Sequence, residues 1–193
     1  MTPGFRVLGV ALLLGGAFFL SAGCAAPRPA RNPPAAALET AGPTRVLQGV
    51  PFLPQEEDTC GPSSLAMLLR FHGKKGDARE LAGETRTAGL RGTLITDLAA
   101  AARRRGLPAE VTELDLPGLK GRIVAGEPVI LLVDLGLWAW SRPHYLIAYG
   151  VTPDGVVAHS GRTEGAVIPY DTLDGQWAKM GRLAIVVAQG GAK

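Results

Sequence analysis

The sequence contains few residues that could bind a metal ion or form disulfide bonds. Its 193 residues include two cysteines, Cys24 and Cys60, and three histidines, His72, His144 and His159. Two cysteines cannot build a disulfide framework, and a four-ligand zinc site would need nearly all five of these side chains. We therefore expect neither a metal nor another cofactor.

Charge is also sparse. Charged residues make up 19% of the chain and the formal net charge is +3. No basic cluster is interleaved with aromatic residues, so the sequence does not indicate nucleic-acid binding. The hydrophobic share of 47% argues against a wholly disordered chain, and the length suits one domain of ordinary size.

The N-terminal segment has the features of a secretion signal. Residues 1–23 contain one base, Arg6, then an apolar stretch and the small residues at positions 21–23. Cys24 follows directly, and the segment resembles a bacterial lipoprotein signal peptide, although Ser21 stands where that pattern usually has Leu. The resemblance implies a lipid on Cys24 and a membrane-anchored protein facing the periplasm. Ala25 favours the outer membrane if the host is Gram-negative. An ordinary signal peptide is the alternative.

The chain after the signal divides into a tether and one domain. Residues 24–46 are rich in Ala and Pro, which is typical of an extended spacer. Residues 47–193 begin with helical patterns, at 62–72 and from 93 or 96 to 105. Apolar strand patterns follow at 129–135, 145–151, 156–159 and 183–188. This order predicts an α+β domain.

Cys60 has the surroundings of a nucleophile. It comes just before a helix that Gly61 and Pro62 open, and the N-terminus of a helix favours a thiolate. Gly61 would let a substrate approach the backbone closely. Gln55 is spaced to place its amide near the same point. Together with the Cys60 N–H, that amide would form a two-donor oxyanion hole.

His144 is the candidate base, because it begins a predicted strand that follows a buried one. His72 lies on the apolar face of the helix of Cys60 and is interpreted as a packing or surface residue. Trp140 and Tyr145 flank His144, and they either line a substrate cleft or pack beneath a loop.

These residues carry a family resemblance that covers residues 48–188. The chain resembles the double-glycine leader peptidases, papain-like cysteine peptidases that process bacteriocin precursors. The resemblance implies a papain-like fold, in which N-terminal helices pack on a mostly antiparallel sheet and the nucleophile lies at a helix N-terminus. It also implies that Cys60 is the nucleophile, Gln55 the oxyanion donor and His144 the base. The motifs are Gln55-x4-Cys60-Gly61-Pro62, Gly92-Thr93, Gly126-Glu127-Pro128-Val129 and His144-Tyr145.

The residue that orients His144 departs from this family. The family usually has an Asp-Pro pair at the end of the next strand, where the Asp holds the imidazole, but here the chain reads His159-Ser160-Gly161. His159 is the preferred candidate. Ser160 is the alternative and would otherwise contact substrate, and the orienting residue could also be missing.

The predicted function is a lipid-anchored extracytoplasmic cysteine peptidase that acts on a peptide or protein substrate. One alternative is a binding lipoprotein that keeps the fold with weak activity or none, since the Asp is missing. The other is a cell-wall peptide amidase or acyl transferase, for which His159 would complete a Cys-His-His set.

Overall fold

A computed structural model gives the fold and describes residues 44–56, 58–87, 89, 92–137 and 140–188. The predicted signal peptide, Cys24 and most of the predicted tether lie outside the described residues. Among the described residues, no helix is both long enough and apolar enough to cross a membrane.

The described part of the chain forms five helices and seven strands. The helices are α1 (Cys60–Phe71), α2 (Ala78–Thr85), α3 (Ile95–Arg104), α4 (Leu116–Val124) and α5 (Tyr170–Ala178). The strands are β1 (Arg45–Val46), β2 (Ala109–Glu113), β3 (Val129–Asp134), β4 (Pro143–Thr152), β5 (Gly155–Ser160), β6 (Thr163–Ile168) and β7 (Leu183–Val187).

The strands form one sheet in the order β2-β7-β3-β4-β5-β6, and β1 pairs with β4 outside this path. Neighbouring strands are antiparallel throughout. Three helices precede most of the strands in the chain. The predicted α+β fold with a mostly antiparallel sheet is therefore confirmed.

Both faces of the sheet are buried by helices. Leu65 of α1 and Leu98 of α3 belong to one core cluster, together with Ile130 and Tyr145. The opposite cluster contains Trp177 of α5 and the strand residues Leu131 and Leu146. Successive side chains of a strand point to opposite faces. Burial on both faces thus explains why β3 is a continuous apolar run.

Three details differ from the predictions. Arg45 and Val46, assigned to the tether, pair with Val151 and Gly150, so the sheet begins before residue 47. The helix of Cys60 starts at Cys60 itself, not at residue 62. Strand β6 is not predicted from the sequence, because TEGAVI has no regular apolar alternation. In the structure its residues are exposed or half-buried.

Candidate active site

Cys60 is the first residue of α1, as expected for a nucleophile at a helix N-terminus. The Thr59 hydroxyl donates to the Glu56 carbonyl oxygen at 3.0 Å and accepts from the Glu56 N–H at 2.9 Å. This pair of hydrogen bonds closes the turn that leads into the helix. The first N–H groups of a helix have no partner within it, so they are available to a bound oxyanion.

The residues next to Cys60 and His144 are in contact. A Cβ added at Gly61 would lie 2.9 Å from Leu98 Cδ1 and 3.1 Å from Tyr145 Cδ2. The close approach of α1 to α3 and β4 therefore requires glycine at position 61. The same contact brings the start of β4 against the start of α1. Cys60 directly precedes Gly61, and His144 directly precedes Tyr145.

Gly61 and Tyr145 are buried, which for Tyr145 is the packing alternative of the two that the sequence left open. Tyr145 is 5% exposed, and its hydroxyl donates to the Thr93 carbonyl oxygen at 2.9 Å. Burial, together with the charge of nearby Cys60, raises the pKa of Tyr145. The Cβ direction of Gly61 and the ring of Tyr145 therefore face the core beneath the site, whereas a substrate contact of the Gly61 backbone stays a prediction.

The His144 ring is held by a hydroxyl. Its Nε2 lies 3.1 Å from Ser160 Oγ. Burial, and secondly the positive charge of Arg142, lowers the pKa of His144 to about 4. The imidazole is therefore neutral at pH 7. Among the described residues, no hydrogen bond joins this ring to the Cys60 thiol.

His159 does not contact His144, which corrects the preference for it as the orienting residue. Strand register gives the reason. His159 pairs with Ile147, and His144 lies an odd number of residues from Ile147, so the two histidines point to opposite faces. Ser160, one residue further along, is the member of the His159–Ser160 pair that shares the face of His144.

Both ring nitrogens of His159 have other partners. Gly165 N–H donates to Nδ1 at 3.2 Å, so Nε2 carries the proton and donates to the Val50 carbonyl oxygen at 3.3 Å. The ring also packs against Phe52 and Tyr149 at tilted angles, with centroids 5.2 Å and 4.4 Å away. Burial lowers the pKa of His159. His159 thus fixes the segment that leads to Gln55.

Gln55 is 5% exposed and held at both ends of its amide. Gly161 N–H donates to Oε1 at 2.9 Å, and Nε2 donates to Ser64 Oγ at 3.0 Å. The Gln55 N–H also donates to the Gly161 carbonyl oxygen at 2.9 Å. The residue after Ser160 therefore positions Gln55, while Ser160 itself positions His144.

Asp134 shapes the site, and the sequence interpretation missed it. Its carboxylate accepts 2.7 Å hydrogen bonds from Gly136 N–H and Arg142 N–H, which lower the pKa of Asp134. These bonds hold Gly136 and Arg142 near the end of β3, just before β4 begins. An acidic residue that ends an apolar strand, two residues before a glycine, was the available signal.

Trp140 and His72 are the two remaining residues that the sequence analysis singled out. Trp140, two residues before Arg142, is 84% exposed, so it stays a predicted substrate contact. His72 caps the C-terminal end of α1 and packs edge-on against Phe71, away from Cys60. Among the described residues, no three His, Cys, Asp or Glu side chains form a group that could hold a metal ion.

A thiol at a helix N-terminus, beside the first residues of an antiparallel strand that carries a histidine, defines the papain-like class of cysteine peptidases. The family profile agrees: the chain belongs to the Peptidase C39 family, whose profile matches residues 51–189. The chain is thus a cysteine peptidase by family and fold. No curated protein matches it significantly.

Solved structures share the fold at low sequence identity. A C39-like peptidase from Bacillus anthracis is 20% identical with a TM-score of 0.65, covering 78% of this chain and 100% of its own. A double glycine motif protease from an AMS/PCAT transporter, solved with its leader peptide, is 20% identical with a TM-score of 0.57. That match covers 76% and 99%. The peptidase domain of Streptococcus ComA is 19% identical with a TM-score of 0.56, covering 75% and 98%.

The pKa of His144 can be measured directly. In an NMR titration of the full chain, we expect the His144 ring carbon signal to change with a midpoint near pH 4. The signal is assigned by its absence from His144→Gln. Arg142→Gln should raise the midpoint, because it removes a positive charge beside the ring. A midpoint of 6 to 7 in the wild type would contradict this environment.

The same shift predicts how stability depends on pH. The unfolded chain binds a proton at His144 below about pH 6.5, whereas the folded chain binds it only near pH 4. The contribution of His144 to the free energy of unfolding should therefore decrease as pH falls from 6.5 to 4.

Proposed function

We propose that this chain hydrolyses peptide bonds with Cys60 as nucleophile, His144 as base and Gln55 as oxyanion donor. One observation carries the proposal. The consecutive residues Ser160 and Gly161 bond His144 and Gln55, and Gln55 in turn bonds the helix that Cys60 begins. The His144 and Gln55 side chains are thus held by consecutive residues, and Gln55 is tied to the helix that begins at Cys60.

The reaction follows from these groups. As His144 takes the thiol proton, Cys60 Sγ attacks the scissile carbonyl carbon and forms a C–S bond. The Cys60 N–H and the second N–H of the Gln55 amide donate to the resulting oxyanion. The C–N bond then breaks, and the amine leaves with the proton from His144. Water hydrolyses the thioester, which returns the thiol and releases the carboxylic acid.

Ser160 takes the place of the orienting carboxylate. The proposed mechanism requires the tautomer in which Nε2–H donates to Ser160 Oγ, because Nδ1 is then unprotonated and able to accept the thiol proton. A hydroxyl stabilises an imidazolium less than a carboxylate does, and Arg142 disfavours that charge further. We therefore expect the imidazole of the resting site to be neutral.

The presence of Ser160 where the family usually has an Asp supports one alternative function. A peptidase-like lipoprotein that binds peptides with little turnover fits a base supported by a hydroxyl. The amidase or acyl transferase hypothesis has less support, because it relied on His159, which bonds Val50 and Gly165 instead of His144.

A peptide is the substrate class that the relatives favour. The double glycine motif protease was solved with a leader peptide bound. In this chain, Leu137 and Trp140, which precede His144 in sequence, are 75% and 84% exposed. We propose that Trp140 contacts the substrate.

Steady-state hydrolysis of a mixed library of internally quenched peptides tests the proposed function in the full chain, purified in detergent. Cys60→Ala and His144→Ala should abolish turnover, and Gln55→Ala should lower kcat by about 10² to 10³. His72→Gln is the matched control, since His72 is at the far end of α1. Turnover that survives Cys60→Ala would refute the thiol mechanism, and a wild type without turnover would favour the binding alternative.

We also propose that a lipid on Cys24 anchors the protein to a membrane, facing the periplasm. The support is the pattern of residues 1–24: one base, an apolar stretch, small residues and then the cysteine. Acyl chains would hold the domain at a membrane without a spanning helix.

Metabolic labelling tests the anchor. The full chain, expressed in a bacterium with lipoprotein processing, should incorporate labelled palmitate and sediment with the membranes. Cys24→Ser should lose both properties, whereas Cys60→Ser should keep them. Equal labelling of the wild type and Cys24→Ser would contradict the proposal.

A further inference from the structure

Ser64 is a buried polar residue that neither the motif nor the proposed mechanism uses. It is fully buried in α1, four residues after Cys60, and thus on the same helix face one turn later. Its Oγ accepts the 3.0 Å hydrogen bond from Gln55 Nε2. Ser64 therefore connects the nucleophile's helix to the candidate oxyanion donor.

The partners of Gln55 define which way its amide points. A backbone N–H can only donate, so the bond from Gly161 identifies the other end of the amide as Oε1. The NH₂ group then faces Ser64 and has two hydrogens. One of them is donated to Ser64 Oγ, and the second remains for another acceptor.

We propose that Ser64 is a positioning residue, which aims the second N–H of Gln55 at the oxyanion. Gly161 fixes one end of the amide and Ser64 the other, so the amide plane cannot rotate. Without the Ser64 hydroxyl, the NH₂ end of the Gln55 amide loses its acceptor. The amide can then rotate while Oε1 keeps its hydrogen bond from Gly161 N–H. The catalytic part of this inference rests on the proposed function.

The effect on turnover should be modest and specific. A single hydrogen bond contributes about 1 kcal/mol, which corresponds to about a fivefold change in rate. Ser64→Ala should therefore lower kcat about 5-fold with KM unchanged. Ser63→Ala is the matched control, because Ser63 is the adjacent residue of the same helix and is 2% exposed.

A double-variant comparison separates positioning from a merely structural role. In the Gln55→Ala background, adding Ser64→Ala should change kcat less than twofold, since the amide to be positioned is gone. If Ser64→Ala leaves kcat at the wild-type value, or if the two effects multiply, the proposed role is refuted. Thermal unfolding of each variant identifies any loss of fold.

NMR of the Gln55 side-chain amide gives a readout that does not need turnover. The two Nε2 hydrogens should be distinct and slow to exchange with water in the wild type and in Ser63→Ala. They should exchange faster in Ser64→Ala. Unchanged exchange in Ser64→Ala would refute the positioning role even if the chain proves inactive, whereas absent turnover alone would refute only the proposed function.

Discussion

The candidate site depends on a two-residue connection at the end of β5. Ser160 faces His144, and Gly161 exchanges two hydrogen bonds with Gln55. The backbone of Gly161 is left-handed, with φ of +61°, and no atom lies within 4 Å of the position of a Cβ. Backbone conformation, not crowding, therefore favours glycine there. Because the two residues are consecutive, the base and the oxyanion donor cannot shift independently.

The contacts around the thiol form a closed circuit. Gly61, next to Cys60, packs on Tyr145, next to His144; His144 bonds Ser160, and Gly161 bonds Gln55. Gln55 then bonds Ser64, which returns to the helix of Cys60. Such support fixes the groups before substrate binds, which is how a site limits the reorganisation that a reaction requires. Burial of His144 keeps the imidazole neutral, and a neutral base is the form that accepts a thiol proton.

The sequence was sufficient for the parts of this site that depend on local pattern. Helix α1, the buried strands and the spacing of Gln55 from Cys60 follow from periodicity and motif, and the structure agrees. The roles of His159 and Ser160 depend on the register between β4 and β5. A register shift of one residue would exchange the faces to which these two side chains point, and no local sequence pattern encodes the register. For Tyr145 the sequence leaves a substrate contact and core packing open, because neighbours in sequence do not show which side of the strand is buried. Ser64 and Asp134 act through hydrogen bonds to residues two to nine positions away, which apolar periodicity does not reveal.

Activation of Cys60 by His144, with Ser160 orienting the imidazole, can be measured as the rate at which iodoacetamide alkylates Cys60 at pH 7. The rate is followed in the full chain by mass spectrometry of the Cys60 peptide. We expect His144→Ala to slow alkylation about 10²-fold, as loss of a general base should, and Ser160→Ala to slow it less. Equal rates in the wild type and in both variants would refute both roles.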